Sequence, residues 1–263
     1  MAKHAPGLSA DQRRTFEERG LVRVPGVIPR AQADVMADRL WAELKRRLGI
    51  RRWEPRTWRT ERPADFKALQ GSSVFKGMAS PRLVAILDDL LGRERWVRPT
   101  EWGQPLVCFP RSYGRWDVPY QSWHLDLPAD PKGQRHDVGR VFAILAPLAA
   151  KGGGTLVVTG SHRIVRTLVD EKGFQQSSGE VRKRLKAKHR WFFRLMSKDR
   201  ERDRVARFMD GPTEVDGVPV QVEEMTGESG DVFVMDPCAL HAAAPNVLEA
   251  PRLVLAQFVY PKS

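Results

Sequence analysis

The run Asp231-Val232-Phe233-Val234-Met235, followed after a turn-rich interval by Arg252-Leu253-Val254-Leu255-Ala256-Gln257-Phe258-Val259, decides the fold class. Both are short apolar runs rich in β-branched residues and bounded by Gly230 or Pro251, the pattern of buried strands. Toward the N-terminus the same pattern recurs in Val218-Pro219-Val220-Gln221-Val222, Thr155-Leu156-Val157-Val158 and Val141-Phe142-Ala143-Ile144-Leu145. It recurs again in the run into Trp123-His124-Leu125-Asp126 and in Leu106-Val107-Cys108-Phe109. Many short strands with turn signals between them predict a barrel or sandwich. No strand–helix alternation appears, which speaks against a doubly wound parallel sheet.

Ahead of this β-region the chain reads as mostly helical. Ser9 and Gln12 have capping-box spacing, and Gly20 stands where a helix-ending glycine belongs. Leu21-Val22-Arg23-Val24 is a short strand stopped by Pro25-Gly26. A helix over 29–48 follows from Met36, Leu40, Leu44 and Leu48 at four-residue spacing. Another has Ser80 as N-cap, Pro81 at its first position and Gly92 at its end. The segment 51–63, rich in Arg, Trp and Pro, reads as an irregular surface stretch. The expectation is one domain over 1–263: a helical part to about 95, a β-core from about 96, and a basic helical insertion at about 181–209 that acts as a covering element or lid.

The 263 residues suffice for a substantial core, and 29% charged residues fit a folded, water-facing protein. No apolar run is long enough to span a bilayer, and no apolar leader follows Met1, so no membrane role and a cytoplasmic location are expected. Cys108 and Cys238 are too few for a disulfide framework or a four-cysteine zinc site. The formal charge of +12 is concentrated: 182–207 holds twelve basic residues against three acidic ones. Such a field attracts phosphates, carboxylates or nucleic acid, while a solvated helix face is the plainer reading. One alternative is therefore an anion- or nucleic-acid-binding protein that acts through this insertion on a catalytically silent scaffold. It is disfavoured for nucleic acid, because stacking aromatics are confined to Trp191-Phe192-Phe193.

Among six histidines, His124 stands out for its neighbour. In a strand, residues two apart share a face, so His124 and Asp126 project together. A second histidine from a later strand, His241, would complete a facial triad of the kind that leaves open positions on Fe(II). His-x-Asp alone is common. Arg252, eleven residues beyond His241 at the head of an apolar strand, strengthens it, because a guanidinium there must find an anionic partner or remain solvated, and it matches a carboxylate two-pronged. His136-Asp137, Cys238 near His241, His162 in Gly160-Ser161-His162 and the triple glycine 152–154 carry less. They read as, respectively, a chance pair, a small buried residue, a turn-fixing histidine and a tight turn lacking the Lys-Ser/Thr of a phosphate loop.

Taken together, Gly20 to Ile28, Gln121-Ser122-Trp123-His124-Leu125-Asp126, the stretch from Gly153 through Gly160-Ser161-His162-Arg163, and Gly230-Asp231 through His241 to Arg252 resemble the phytanoyl-CoA dioxygenase (PhyH) family of Fe(II)- and 2-oxoglutarate-dependent oxygenases. Thr159 stands where proline is common there, and 51–63 and the basic insertion lie outside the likeness. The resemblance implies a mainly β fold with flanking helices around a double-stranded β-helix, the cupin-like jelly roll. It implies Fe(II) on His124, Asp126 and His241, with 2-oxoglutarate chelating the metal and its distal carboxylate on Arg252. Gln121 and Thr155 would hydrogen-bond the cosubstrate, and Phe142 would line its pocket. It implies consumption of O2, release of succinate and CO2, and hydroxylation of a small molecule, anionic or CoA-linked by the charge argument. Halogenating relatives replace the carboxylate, so Asp126 favours hydroxylation or desaturation.

Overall fold

The computed structural model describes residues 5–111, 114–126, 139–170, 177–198 and 202–262. The His136-Asp137 pair, and Asp199, Arg200 and Glu201 of the insertion, lie outside them.

The N-terminal elements form where their local signals put them. Helix α1 (Ala10–Arg19) carries the reciprocal Ser9–Gln12 capping box, and Gly20 closes it at φ 67°. Strand β1 (Leu21–Val24) leads to α2 (Arg30–Leu48), whose Met36, Leu40 and Leu44 are buried and whose end is Gly49 at φ 65°. A short α3 (Lys67–Gln70) precedes α4 (Pro81–Leu91), capped by the Ser80 hydroxyl on the Leu83 amide. The segment 51–63 is irregular apart from a single 3₁₀ turn at Pro55–Thr57. It is more than a surface loop, since Trp58 packs on Trp41 and Phe109 with ring centroids 6.1 and 5.1 Å away.

Beyond it come β2 (Gln104–Cys108), β3 (Gly139–Ile144), β4 (Thr155–Thr159), α5 (Ser161–Asp170), α6 (Ser178–Lys188), α7 (Arg190–Leu195) and α8 (Arg204–Met209). The chain closes with β5 (Thr213–Val215), β6 (Val218–Glu224), β7 (Val232–Met235), β8 (His241–Ala243) and β9 (Arg252–Val259). The strands make two antiparallel sheets, ordered β1-β7-β3-β9-β2 and β5-β6-β4-β8. They face each other as a jelly roll. Alternation along each strand sorts the side chains. Phe142, Ile144, Val157, Phe233, Met235, Val254 and Ala256 fill the space between the sheets. Val141, Val234, Leu253 and Leu255 point outward and pack beneath α2 and α4. Leu156, Val158, Val220 and Val222 point outward from the smaller sheet and pack beneath α5 to α8.

Three expectations need correction. The run into Asp126 is not a ladder strand: only His124 pairs, in a single antiparallel bridge to His241. Ser122, at φ 66°, turns the backbone out of an extended path just before it. Next, Gly160-Ser161-His162 is not a free turn but the start of α5. Gly160 sits at φ 81°, where an added Cβ would fall 2.2 Å from the Pro219 carbonyl oxygen, and the Ser161 hydroxyl donates to Val158 O. Finally, the basic insertion is several helices, broken at His189, whose φ of −127° and ψ of 117° are extended. Val181, Leu185, Phe192, Leu195 and Phe208 bury it against the outside of the smaller sheet rather than over the interior as a lid.

Candidate active site

His241 opens β8 opposite Val157 of β4, and Val157 faces the sheet interior, so the His241 ring does too. His124 is held to it by main-chain bonds in both directions, 2.8 Å from His124 N to His241 O and 3.0 Å in return. Asp126 follows, its amide bonded to Pro237 O at 3.2 Å. This register brings the ligand atoms of His124, Asp126 and His241 within 4.8 Å of one another, the only such group of three or more found among the described residues.

The chemistry of the three side chains is already polarised toward a cation. Nδ1 of His124 faces Ser122 O at 2.9 Å and Nδ1 of His241 faces Ala239 O at 3.0 Å. A carbonyl accepts only, so each Nδ1 carries the proton and each Nε2 offers a lone pair. Burial pushes the His241 pKa down to about 4 against the pull of Asp126, leaving a neutral imidazole at pH 7. Nε2 of His241 lies 3.5 Å from Asp126 Oδ2, and Nε2 of His124 lies 3.9 Å from Oδ1. Asp126 Oδ2 is buried with no hydrogen-bond donor. A buried carboxylate oxygen without a donor is costly, and the Arg140 guanidinium that faces it at 3.2 Å makes no hydrogen bond to it. The donor set fits a divalent metal such as iron. His124 is half-exposed, so the group is reachable from its side.

Sequence reasoning missed Arg140. It stands on the inward face of β3, two residues before Phe142, with Nε 3.2 Å from Asp126 Oδ2 and its guanidinium 3.7 Å above the Phe258 ring. Nε and Nη1 are buried without hydrogen bonds, and burial lowers its pKa against the field of Asp126. The argument that singled out Arg252, an arginine heading an apolar strand, applied equally to Arg140.

Arg252 heads β9 on the same interior face. Its Nη1 donates to Gly153 O at 2.7 Å, while Nε has no partner. Burial lowers its pKa, with Cys108 and Glu224 opposing and Arg62 adding to the effect. Thr155, cross-strand from Ala243, is buried and faces inward as Val157 does. Phe142 lies in the inter-sheet cluster. Gln121 is not gathered with them: it is exposed on a rim between two cavities of about 600 and 750 Å³. The second of these is lined by Arg182, Lys183, Lys186 and Lys198 with Phe193. Arg252 lines a third, of about 620 Å³, together with Arg62, Leu106 and Ala243.

The profile of the phytanoyl-CoA dioxygenase (PhyH) family matches residues 16–254. The chain belongs to that family. It is an Fe(II)- and 2-oxoglutarate-dependent dioxygenase that uses iron, 2-oxoglutarate and O2. The enzyme shares its fold with HygX from Streptomyces hygroscopicus, solved with nickel and 2-oxoglutarate bound, at 19% identity and TM-score 0.57 over 98% of this chain and 88% of that one. It also resembles EvdO2 from Micromonospora carbonacea var. aurantiaca complexed with 2-oxoglutarate (16% identity, TM-score 0.56, 98% and 93% covered). A third is SnoK, a carbocyclase from nogalamycin biosynthesis (15%, TM-score 0.53, 97% and 84% covered). No curated protein sequence matches the enzyme. None of its described helices is long and apolar enough to cross a membrane.

Proposed function

We propose that His124, Asp126 and His241 hold the iron and that the enzyme hydroxylates an unactivated C–H bond of a small anionic molecule, with release of succinate and CO2. The convergence of two Nε2 lone pairs with a buried carboxylate oxygen that accepts no hydrogen bond carries this reading. Bound there, iron and 2-oxoglutarate supply the O2 activation that side chains alone cannot provide. The chain's own contributions are positional. The main-chain carbonyls at Ser122 and Ala239 fix both imidazoles, and Arg140 faces the buried Oδ2 of Asp126 and holds that carboxylate in place. Arg252 receives the distal carboxylate of 2-oxoglutarate with Thr155 beside it, and Phe142 walls the pocket against water. Gln121, out on the rim, is assigned to the substrate side instead.

Asp126 favours hydroxylation over halogenation, because it fills the position a halide would need. The structural likenesses include SnoK, described as a carbocyclase, and SnoN, described as an epimerase at 17% identity and TM-score 0.51. Product analysis therefore belongs with the first substrate screen. The cavity lined by Arg182, Lys183, Lys186 and Lys198 supports an acidic group on the substrate. Two buried cysteines suit a reducing, cytoplasmic setting.

The deciding experiment is anaerobic titration of the metal-free protein with Fe(II) and then 2-oxoglutarate, following the weak visible charge-transfer band. The band should need both additions, and should be lost in His124→Ala and Asp126→Ala variants that keep the wild-type circular dichroism. Coupled turnover surviving in either variant would overturn the ligand assignment.

A further inference from the structure

The cavity of about 750 Å³ beside the active-site stretch has four cations and no acid among its described lining residues. Lys183, Lys186 and Lys198 meet no acidic side chain among the described residues. Glu180, the one acid of α6, is turned back on its own cap, accepting from Ser177 N at 2.7 Å and from the Ser177 hydroxyl at 2.8 Å. The spacing is costly. Arg182 and Lys186 stand four residues apart on α6, and Lys183 and Lys186 three, so like charges crowd one helix face. A cavity walled by mutually repelling cations suits an anion of more than one charge.

The kind of cation narrows the kind of anion. Arg182 already donates through Nη1 to Trp123 O at 2.8 Å and through Nε to Ser178 O at 3.3 Å. What remains is three ammonium groups, with Lys186 steadied 5.8 Å above the Phe193 ring. Ammoniums are point charges with donors in several directions, which fit a tetrahedral dianion, whereas the planar carboxylate is matched by a free arginine fork.

Position narrows the molecule. Arg182 holds Trp123 O, and Ser178 Oγ accepts from Leu125 N at 2.9 Å, so α6 is bonded to the main chain on both sides of His124. A short molecule with its charge in this cavity therefore reaches the metal centre. An acyl-CoA, whose phosphates stand a whole pantetheine arm from its acyl carbons, is too long for that arrangement.

We infer that this cavity is a phosphate subsite and that the substrate is a small phosphate monoester. The inference deepens the reading of the enzyme as an oxygenase of a small anionic molecule and rests on it. The body of the ester passes over Tyr120, Gln121 and Ser122 into the adjoining cavity of about 600 Å³, where Asp117 and Arg115 offer an acceptor and a donor to hydroxyl groups.

The test is calorimetry on the enzyme loaded with Fe(II) and 2-oxoglutarate, without O2. The probes are inorganic phosphate, glucose 6-phosphate, glucuronate and glucose, the last three sharing one ring and differing at C6. Glucose 6-phosphate should bind roughly tenfold tighter than glucuronate, with glucose weaker still, and inorganic phosphate should displace it. Lys183→Gln with Lys186→Gln should raise the Kd for both phosphates about tenfold or more while keeping the wild-type circular dichroism. Glucuronate binding as tightly as glucose 6-phosphate would reduce the cavity to a general anion field and overturn the proposal. So would unchanged phosphate affinity in the double variant, which would put the anion on the iron or elsewhere. Coenzyme A binding more tightly than glucose 6-phosphate would hand the cavity to a nucleotide and overturn the small ester. If the wild type gives no Fe(II)–2-oxoglutarate band, the reading beneath the proposal fails instead.

Discussion

At Gly20 the backbone takes φ 67°, and an added Cβ would lie 2.5 Å from Nδ1 of His162. The ring is buried, its Nε2 on Glu17 O at 3.0 Å and its Nδ1 without a partner, so it has no room to retreat. Gly20→Ala should therefore destabilise by about 1–3 kcal/mol, more than the left-handed backbone alone costs; denaturant unfolding measures it. Burial lowers the His162 pKa. The unfolded chain then binds the proton more readily, so stability is intact above the ordinary histidine range and falls as pH drops below about 6.5. Melting curves between pH 7 and 5 should show that loss, and His162→Gln should flatten it. Arg140 is tested differently. Arg140→Met keeps the bulk over Phe258 but removes the charge beside Asp126, and iron affinity should drop about 10–100-fold with the fold retained.

Among the elements, the stretch 116–126 that carries His124 and Asp126 has almost no secondary structure of its own. It is held from behind. The Trp123 indole is buried and donates to Pro119 O at 2.7 Å, and Arg182 donates to Trp123 O at 2.8 Å. Arg204 Nε donates to Val118 O at 2.6 Å, and its Nη2 reaches Pro119 O at 3.2 Å and Leu195 O at 2.5 Å. Arg204→Met strands several buried carbonyls and should cost about 2–4 kcal/mol, with metal affinity falling alongside. A melting-temperature loss without a change in iron binding would mean the helices do not position the ligands. These elements also show what the sequence could and could not disclose. Caps such as Ser9, Gly20, Ser80 and Gly92 act within a turn of their helix, so α1, α2 and α4 were legible almost to the residue. β9 was legible because eight apolar-rich residues sit behind Pro251. β5 and β8 have three residues each and exist only through their partners. The His124–Asp126 pair stood out by its two-residue spacing, whereas the meeting of Arg140 with Asp126 and Phe258 depends on the fold.

For the molecule as a whole, the jelly roll divides labour between its surfaces. In the proposed assignment the interior receives iron and cosubstrate, while the larger sheet rests on α2 and α4 and the smaller sheet carries the basic helices on its back. The cations of those helices meet the active-site stretch where Tyr120, Gln121 and Ser122 line both rim cavities. An acidic substrate should accordingly be captured faster at low ionic strength. Its kcat/KM should fall as salt shortens the screening length to roughly 10 Å at 0.1 M. Lys183→Glu with Lys186→Glu should raise KM several-fold with little change in kcat; equal effects on a neutral substrate analogue would remove charge from the explanation.

The bridge between His124 and His241 has a consequence for how such an enzyme can be remodelled. Because each histidine is the other's main-chain partner, the spacing of the two imidazoles is set by the backbone rather than by side-chain choices around them. The surface formed by Lys183, Lys186, Phe193 and Lys198 can then be rewritten residue by residue while the reactive centre keeps its dimensions. A library randomised at those four positions should return many variants that still load iron but differ in the molecules they accept, which makes this face the natural place to begin redirecting the enzyme.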